Sequence, residues 1–349
     1  MANPVLVEVS RGALVEARHR GAVAVVDVAG AAVLSLGDVG RPVFPRSAVK
    51  ALQALRLLET GVADALNLSD AELALACASH SGEPAHVAAA AAMLRKAGRD
   101  EACLECGPHW PLGEQAARLL AAAGKRPGAL HNNCSGKHAG FLCLACELRA
   151  EPGGYIRPDH PVQRAVRATL EEVTGAAHRD DHAAIDGCSI PTYAVPLTAL
   201  ARGFARFGCG VGLSPDRAAA ARRLRRAVAE NPAMVAGTGR FDTKVVAALG
   251  ERVFVKVGAE GVYCAALPEV GLGVALKVDD GGTRAAEVAM AALLTRYLLM
   301  NEAEHSTVSA LAFPTLRNWN GLEVGSLRPT PILAGSDAHQ ARSRSSVLG

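Results

Sequence analysis

The chain opens in alternation. The strings LVEV and ALVEARHRGAVAVVDVAGAAVLSL set β-branched and apolar residues against polar ones, with breaks at Gly21 and Gly30. That period of two predicts strands in an antiparallel meander. After Arg41-Pro42-Val43-Phe44-Pro45 the texture changes. SAVKALQALRLLET, beginning at Ser47, places apolar side chains three and four apart and stops at Gly61, which predicts a helix. The same spacing predicts helices over 70–79, 84–97, 114–123, 139–148, 160–174, 196–206 and 215–229, with Pro84 in a first turn. Strands return at 252–257, 261–267 and 274–278, and a helix follows over 284–300. The order strands, helices, strands, helix predicts an α+β fold: one antiparallel sheet assembled from both ends of the chain, with a helical block inserted between them. No repeat or interdomain linker interrupts it. Residues 1–328 therefore read as a single domain with a helical subdomain over about 60–240, and 329–349, Ser- and Arg-rich without periodicity, as a flexible tail.

Composition narrows the function classes. Of 349 residues, 50% are apolar and 20% charged, too apolar a mixture for disorder. The net charge of +3 is spread along the chain, and 7 Phe, 4 Tyr and 2 Trp supply few stacking platforms, so nucleic acid is not an expected partner. No apolar run approaches the ~18–20 residues that span a bilayer, and the first residues lack a basic segment followed by an apolar one. The expected location is the cytoplasm, with no membrane contact. Nine cysteines, an odd number, do not describe a disulfide framework, so the thiols are core filler, metal ligands or catalytic groups.

Four segments can carry chemistry. In Ser47-Ala-Val-Lys50 the amine and hydroxyl share a helix face, and a neutral lysine can take the serine proton. That requires burial or a second cation, because an ordinary lysine is protonated at neutral pH. The second is Cys77-Ala-Ser79-His-Ser81-Gly-Glu83-Pro84, where Ser81 or Gly82 is expected to cap the next helix and Cys77 to fill the core. The densest is His131-Asn-Asn-Cys134-Ser-Gly-Lys137-His138, a polar loop feeding an apolar helix, with Cys134 and His138 spaced four apart as a metal pair would be. Asp186-Gly-Cys188-Ser189 adds a thiol and a carboxylate on another turn. The competing pattern Cys103-x-x-Cys106 with Cys143-x-x-Cys146 has four-thiolate spacing, but its second pair falls inside an amphipathic helix. Last, Lys256 ends a strand before Gly-Ala-Glu-Gly and can bring a second cation to a cleft. No glycine pattern for a nucleotide phosphate occurs.

Taken together, HNNCSGKHAG, SAVKALQ, CASHSGEP, DGCSIPT, KVGAEGV and RNWNGLEVGSLR resemble the L-asparaginase family of the Rhizobium etli type, in family order from the first strands to about Arg328. The resemblance implies a fold similar to serine β-lactamases and glutaminases, a homodimer, and hydrolysis of L-asparagine to aspartate and ammonia. It implies two Ser-Lys pairs, Ser47 with Lys50 and Ser79 with Lys256, Lys277 being the rival for the last position. It further implies a zinc ion held by Cys134, Lys137 and Cys188, with His138 and Asp186 around it. The spacing argument alone had favoured His138 over Lys137. The expected route has Lys50, neutral beside a Lys256 ammonium, activating Ser47 for attack on the side-chain amide while Ser79 relays protons. Arg46, His138 and Asp186 are the expected substrate contacts. Two readings of other classes compete: a penicillin-binding or β-lactamase-like Ser-Lys enzyme, disfavoured by the lack of an export signal, and a non-catalytic zinc or redox protein using Cys134 and Cys188.

Overall fold

The computed structural model describes residues 2–334. Strands β1 (Val5–Arg11), β2 (Leu14–Asp27) and β3 (Ala32–Leu36) form the opening meander. Five more come from the far end of the chain: β4 (Phe254–Val257), β5 (Val262–Leu267), β6 (Leu272–Val278), β7 (Thr315–Arg317) and β8 (Glu323–Pro329). They join one antiparallel sheet in the order β7-β8-β1-β2-β6-β5-β4, with β3 also paired to β2. The two ends of the chain meet where β1 pairs β8 and where β2 pairs β6. This is the expected α+β architecture.

Alternation in β2 lasts only to Arg20. From Gly21 to Val26 every residue is buried, as are all of Val262–Leu267. Continuous burial means that both faces of the sheet centre are covered, so an apolar run replaces the in-out pattern. The helices packed there are α7 (Leu197–Cys209) and α10 (Thr283–Tyr297).

The inserted block contributes α1 (Lys50–Glu59), α2 (Asp70–Ala76), α3 (Pro84–Lys96), α4 (Glu114–Ala122), α5 (Ser135–Glu147), α6 (Pro161–Thr174) and α8 (Pro215–Glu230). Elements that escape the sequence reading include helices α9 (Phe241–Leu249) and α11 (Glu302–Ala312) and strands β7 and β8. Among the expected boundaries that move, two build the site. The helix expected over 70–79 stops at Ala76, because Ser79 N–H and His80 N–H are drawn to Val235 O (2.9 Å) and Asn133 O (3.1 Å) instead. The helix expected from 139 begins at Ser135, one turn earlier. Asn132 Oδ1 takes the Cys134 N–H there, and Gly136 lies so close to Leu75 that a Cβ would stand 2.4 Å from its carbonyl oxygen. The α3 cap is also not the expected one: the chain enters at Glu83, whose N–H donates to His86 Nδ1, while Ser81 donates to Ala236 O. Pro331–Ala334, within the stretch expected as tail, forms a helical turn with Leu333 buried. Residues 335–349 lie outside the described residues.

At Gly273 in β6 the sheet meets α7 with no room for a side chain; a Cβ would stand 1.9 Å from Ala201 O and 2.4 Å from Ala205 N. Gly273→Ala must push helix and strand apart, which costs about 1–3 kcal/mol. Thermal unfolding is expected to show a clear loss of Tm, whereas Gly271→Ser, in open space, is expected to lose only the backbone preference of its positive φ.

Candidate active site

Three segments far apart in sequence converge beneath the sheet edge. The first is the single 3-10 turn Arg46–Val49 that leads into α1, where the Lys50 N–H bonds to Ser47 O. In such a turn residues three apart eclipse, so Ser47 and Lys50 lie on one face. Ser47 is half-buried, while Lys50 is 1% exposed. Its amine turns inward, donating to Ala78 O (2.6 Å) and Ser79 Oγ (2.9 Å). The Ser47 hydroxyl makes no hydrogen bond to another described residue, so the contact seen is Lys50–Ser79, not Lys50–Ser47.

The second segment is the break between α2 and α3, which holds Ser79 by its backbone. The third is β4, where Lys256 is fully buried and donates to Ser79 Oγ (3.0 Å) and Val257 O (2.8 Å). Ser79 Oγ thus sits between two amines, and a hydroxyl so placed can donate only to an amine that has lost its proton. Burial pushes the Lys256 amine down to about 7; the Asp242 carboxylate works against this, and Lys50 and Arg240 reinforce it. Lys277 is elsewhere, capping Glu260 O and Val278 O.

Beside Lys50 lies the thiol cluster. Cys134 precedes α5, Lys137 sits in its first turn, and Cys188 arrives on the 186–190 turn, all three buried. Lys137 Nζ donates to Cys188 Sγ (2.9 Å), and Cys188 lies 3.6 Å from Asp186 Oδ2. The Cys134 thiol is held well below the ordinary thiol range by its hydrogen bond with Cys188, against burial, with Lys50 and Lys137 adding their charge. Its partner Cys188 moves up for the same reason. Burial opposes the Lys137 charge, but Cys188, Cys134 and Asp186 outweigh it and hold the amine above its usual range. Among the described residues no group of three or more His, Cys, Asp and Glu side chains is placed to hold a metal. The donors gathered here are two thiols and an amine.

His138 does not join them. Tyr155 accepts from Glu105 N–H and shares a hydrogen bond with His138 Nδ1 (2.6 Å), and the buried Nε2 has no partner among the described residues. Arg46 pairs with Asp186, and both line a recess with Gln53, His178 and Tyr193. The other cysteines disperse: Cys106, Cys143 and Cys146 point at the separate carbonyls of Ala129, Met93 and Ala97, which ends the four-thiolate pattern. Sequence reading missed Asp242, Tyr155 and Gln53; the one available signal was an acidic residue at the head of the apolar run FDTKVVAAL.

These charges predict a thiolate in the metal-free protein. Its ultraviolet thiolate band is expected to persist below neutral pH and to vanish in Cys134→Ser. It should survive Cys106→Ser, whose thiol burial pushes up to about 12.

No curated protein matches the chain. A solved β-lactamase from Mycobacterium bovis aligns with 84% of this chain and 95% of its own, at 13% identity and a TM-score of 0.40. The L-asparaginase II family model matches residues 7–329, a span that takes in both limbs of the sheet and every residue of the two clusters. The chain belongs to the L-asparaginase II family.

Proposed function

We propose that the protein hydrolyses L-asparagine to aspartate and ammonia through a Ser-Lys acyl-enzyme. Family membership supports amide hydrolysis in general. The observation that carries the mechanism is the Ser79 hydroxyl held 2.9 Å from one buried amine and 3.0 Å from another. With Lys256 able to stand neutral near pH 7, Ser79 can pass its proton to Lys256 and take one from Lys50. The net result is a neutral Lys50 and a Lys256 ammonium. Lys50 is then the base for Ser47, one turn away and open enough to meet a substrate. Ser47 attacks the side-chain amide carbon, the amide nitrogen leaves with a proton as ammonia, and water cleaves the ester. Developing negative charge on the carbonyl oxygen calls for N–H donors. Arg46 and Asp186 line the adjoining recess and suit the charged end of an amino acid.

Cys134, Cys188 and Lys137 would hold a zinc ion, since two thiolates and a neutral amine are donors that zinc accepts. When bound, the ion would supply a Lewis-acidic point for binding and orienting substrate. Lysine ligates only after losing its proton, and Lys137 holds that proton more firmly than usual. The cytoplasm and a homodimeric state complete the reading; no helix among the described residues is long and apolar enough to cross a membrane.

One observation favours a second reading. Ser79, not Ser47, is the serine bonded to both amines, so Ser79 itself would attack. Ammonia release should be measured with asparagine and with glutamine. Ser47→Ala and Ser79→Ala are each expected to lower kcat by about three orders of magnitude or more. Mass spectrometry of quenched enzyme then places the acyl group: on the Ser47 peptide for the first reading, on the Ser79 peptide for the second. Full turnover in both variants would end the covalent mechanism.

Metal analysis is expected to find about one zinc per chain. Retention should fall as pH is lowered, because Lys137 regains its proton, and Lys137→Met should lower affinity. Unchanged metal content in Lys137→Met would remove the amine from the ligand set.

A further inference from the structure

The relay uses Lys256 but not the carboxylate packed behind it. Asp242, in the first turn of α9, is 2% exposed. Its Oδ2 accepts from Val257 N–H (3.3 Å), and its Oδ1 accepts from the Tyr263 hydroxyl. Val257 and Tyr263 face each other in the β4–β5 ladder, so one carboxylate clasps both strands a single residue beyond Lys256. The Lys256 amine curls back along that strand to reach Val257 O. Amine and carboxylate therefore hold the same peptide segment, one at Val257 O and the other at Val257 N–H.

Both oxygens of Asp242 accept hydrogen bonds; burial pushes this carboxyl up, while the Lys256 charge, the Val257 N–H and Arg240 work toward its ionised form. A buried carboxylate without a cation is costly, and so is a buried ammonium without an anion. We propose that Asp242 is a positioning residue for the Ser79 relay: it pins the strand end that carries Lys256, and its charge sets how firmly the Lys256 amine holds a proton. The inference rests on the Ser-Lys reading above and adds to it the residue that tunes the pair.

The groups facing Lys256 come from every side. Asp242 and Arg240 lie at the head of α9, Lys50 on α1 and Cys134 ahead of α5. The thiols of Cys77 and Cys264 also face it, and burial pushes both up, so they remain neutral. Glu287 on α10 also faces Asp242, and burial, with the Asp242 carboxylate adding to it, pushes it up to about 7. Of these, Asp242 and Cys134 favour the ammonium, whereas Lys50 and Arg240 oppose it alongside burial. Without the Asp242 charge, the amine should release its proton at lower pH. The acid limb of kcat/KM, where the lysine pair regains its extra proton, should move the same way.

The test uses the full-length protein as wild type, Asp242→Asn, Asp242→Glu and Tyr263→Phe. Two quantities are read: the pH profile of kcat/KM for asparagine, and the titration of the Lys256 ε-carbon by NMR in 13C-lysine-labelled enzyme. Asp242→Asn is expected to lower both midpoints by about one pH unit. Asp242→Glu should restore them, and Tyr263→Phe should lower Tm while leaving them near wild type. If Asp242→Asn does not fold, Asp242→Ser, which keeps an acceptor for Val257, takes its place. A Lys256 midpoint unchanged in the neutral variant overturns the proposal, as does an equal shift in Tyr263→Phe, which would mark a purely structural role. If the wild type releases no ammonia, the asparaginase reading fails while the NMR titration still decides the role of Asp242.

Discussion

Two amines sharing one hydroxyl impose the constraint on which the site rests. Lys50 and Lys256 are each almost wholly out of water and both reach Ser79 Oγ. Transferring an isolated ammonium into a protein interior costs several kcal/mol, and a second beside it adds direct repulsion. The arrangement is tolerable only if one proton is shed or anions stand close by. Both remedies are present. Burial brings Lys256 to about 7, so the pair readily gives up a proton; the lowered Cys134 thiol supplies negative charge on one side, and on the other Asp242, itself pushed up by burial, favours the ammonium whenever it is ionised. A hydroxyl group linking a charged and a neutral amine is a path for a proton, and that is what a Ser-Lys nucleophile requires.

The fold keeps this arrangement from relaxing. If Ser79 lay on a continued helix, its position would follow the α2 axis. Instead the helix stops at Ala76, and the next residues are stitched to Val235 and Asn133 by their backbones. Lys256 projects from a strand fixed by its register with Cys264, and Lys50 from the first residue of a helix with seven buried positions. The neighbours of Lys256 are chosen for inertness. Cys77 and Cys264 fill space as small neutral thiols, keeping the dielectric low without offering competing charge.

Six strands of the sheet were legible in the chain because they carry β-branched runs bounded by glycines, whereas β7 and β8, short or only partly buried, gave no such pattern. Central β2 still hid its double-sided burial, since alternation ends at Gly21. Helix ends were less legible where tertiary hydrogen bonds overrode local pattern, at Ala76 and Ser135. Lys50, Ser79 and Lys256 could be named from sequence through the family resemblance; spacing by itself gave only the first pair. The geometry joins Lys50 to Ser79, and three residues of separation could not reveal this because the partner lies 29 positions away. Lys137 illustrates the same limit. Spacing four favours Cys134 with His138, yet the histidine turns to Tyr155 and the lysine reaches Cys188, a choice made by chain segments distant in sequence.

Strain marks the frame around these groups. Among the described residues, non-glycine residues with positive φ include Arg46 at 52° and Ser189 at 76°, each adjacent to a site residue, Ser47 and Cys188. Such conformations cost about 1–3 kcal/mol each and persist only where surrounding contacts over-determine them. Asp186 supplies contacts to both. Its carboxylate takes the Arg46 guanidinium and the Gly187 N–H, while its backbone oxygen accepts the Ser189 N–H (2.8 Å). Burial disfavours its charge, but Lys137 and Arg46 outweigh that and keep it ionised below the usual carboxylate range. One carboxylate therefore locks the turn that presents Ser47 to the turn that presents Cys188. The ion pair adds to packing, for Ala48 and Val49 of the Ser47 turn are buried and Val43 pairs with Val195 ahead of it, so the charge of Asp186 fixes how the hydroxyl and thiol halves of the site meet rather than whether the turn is held.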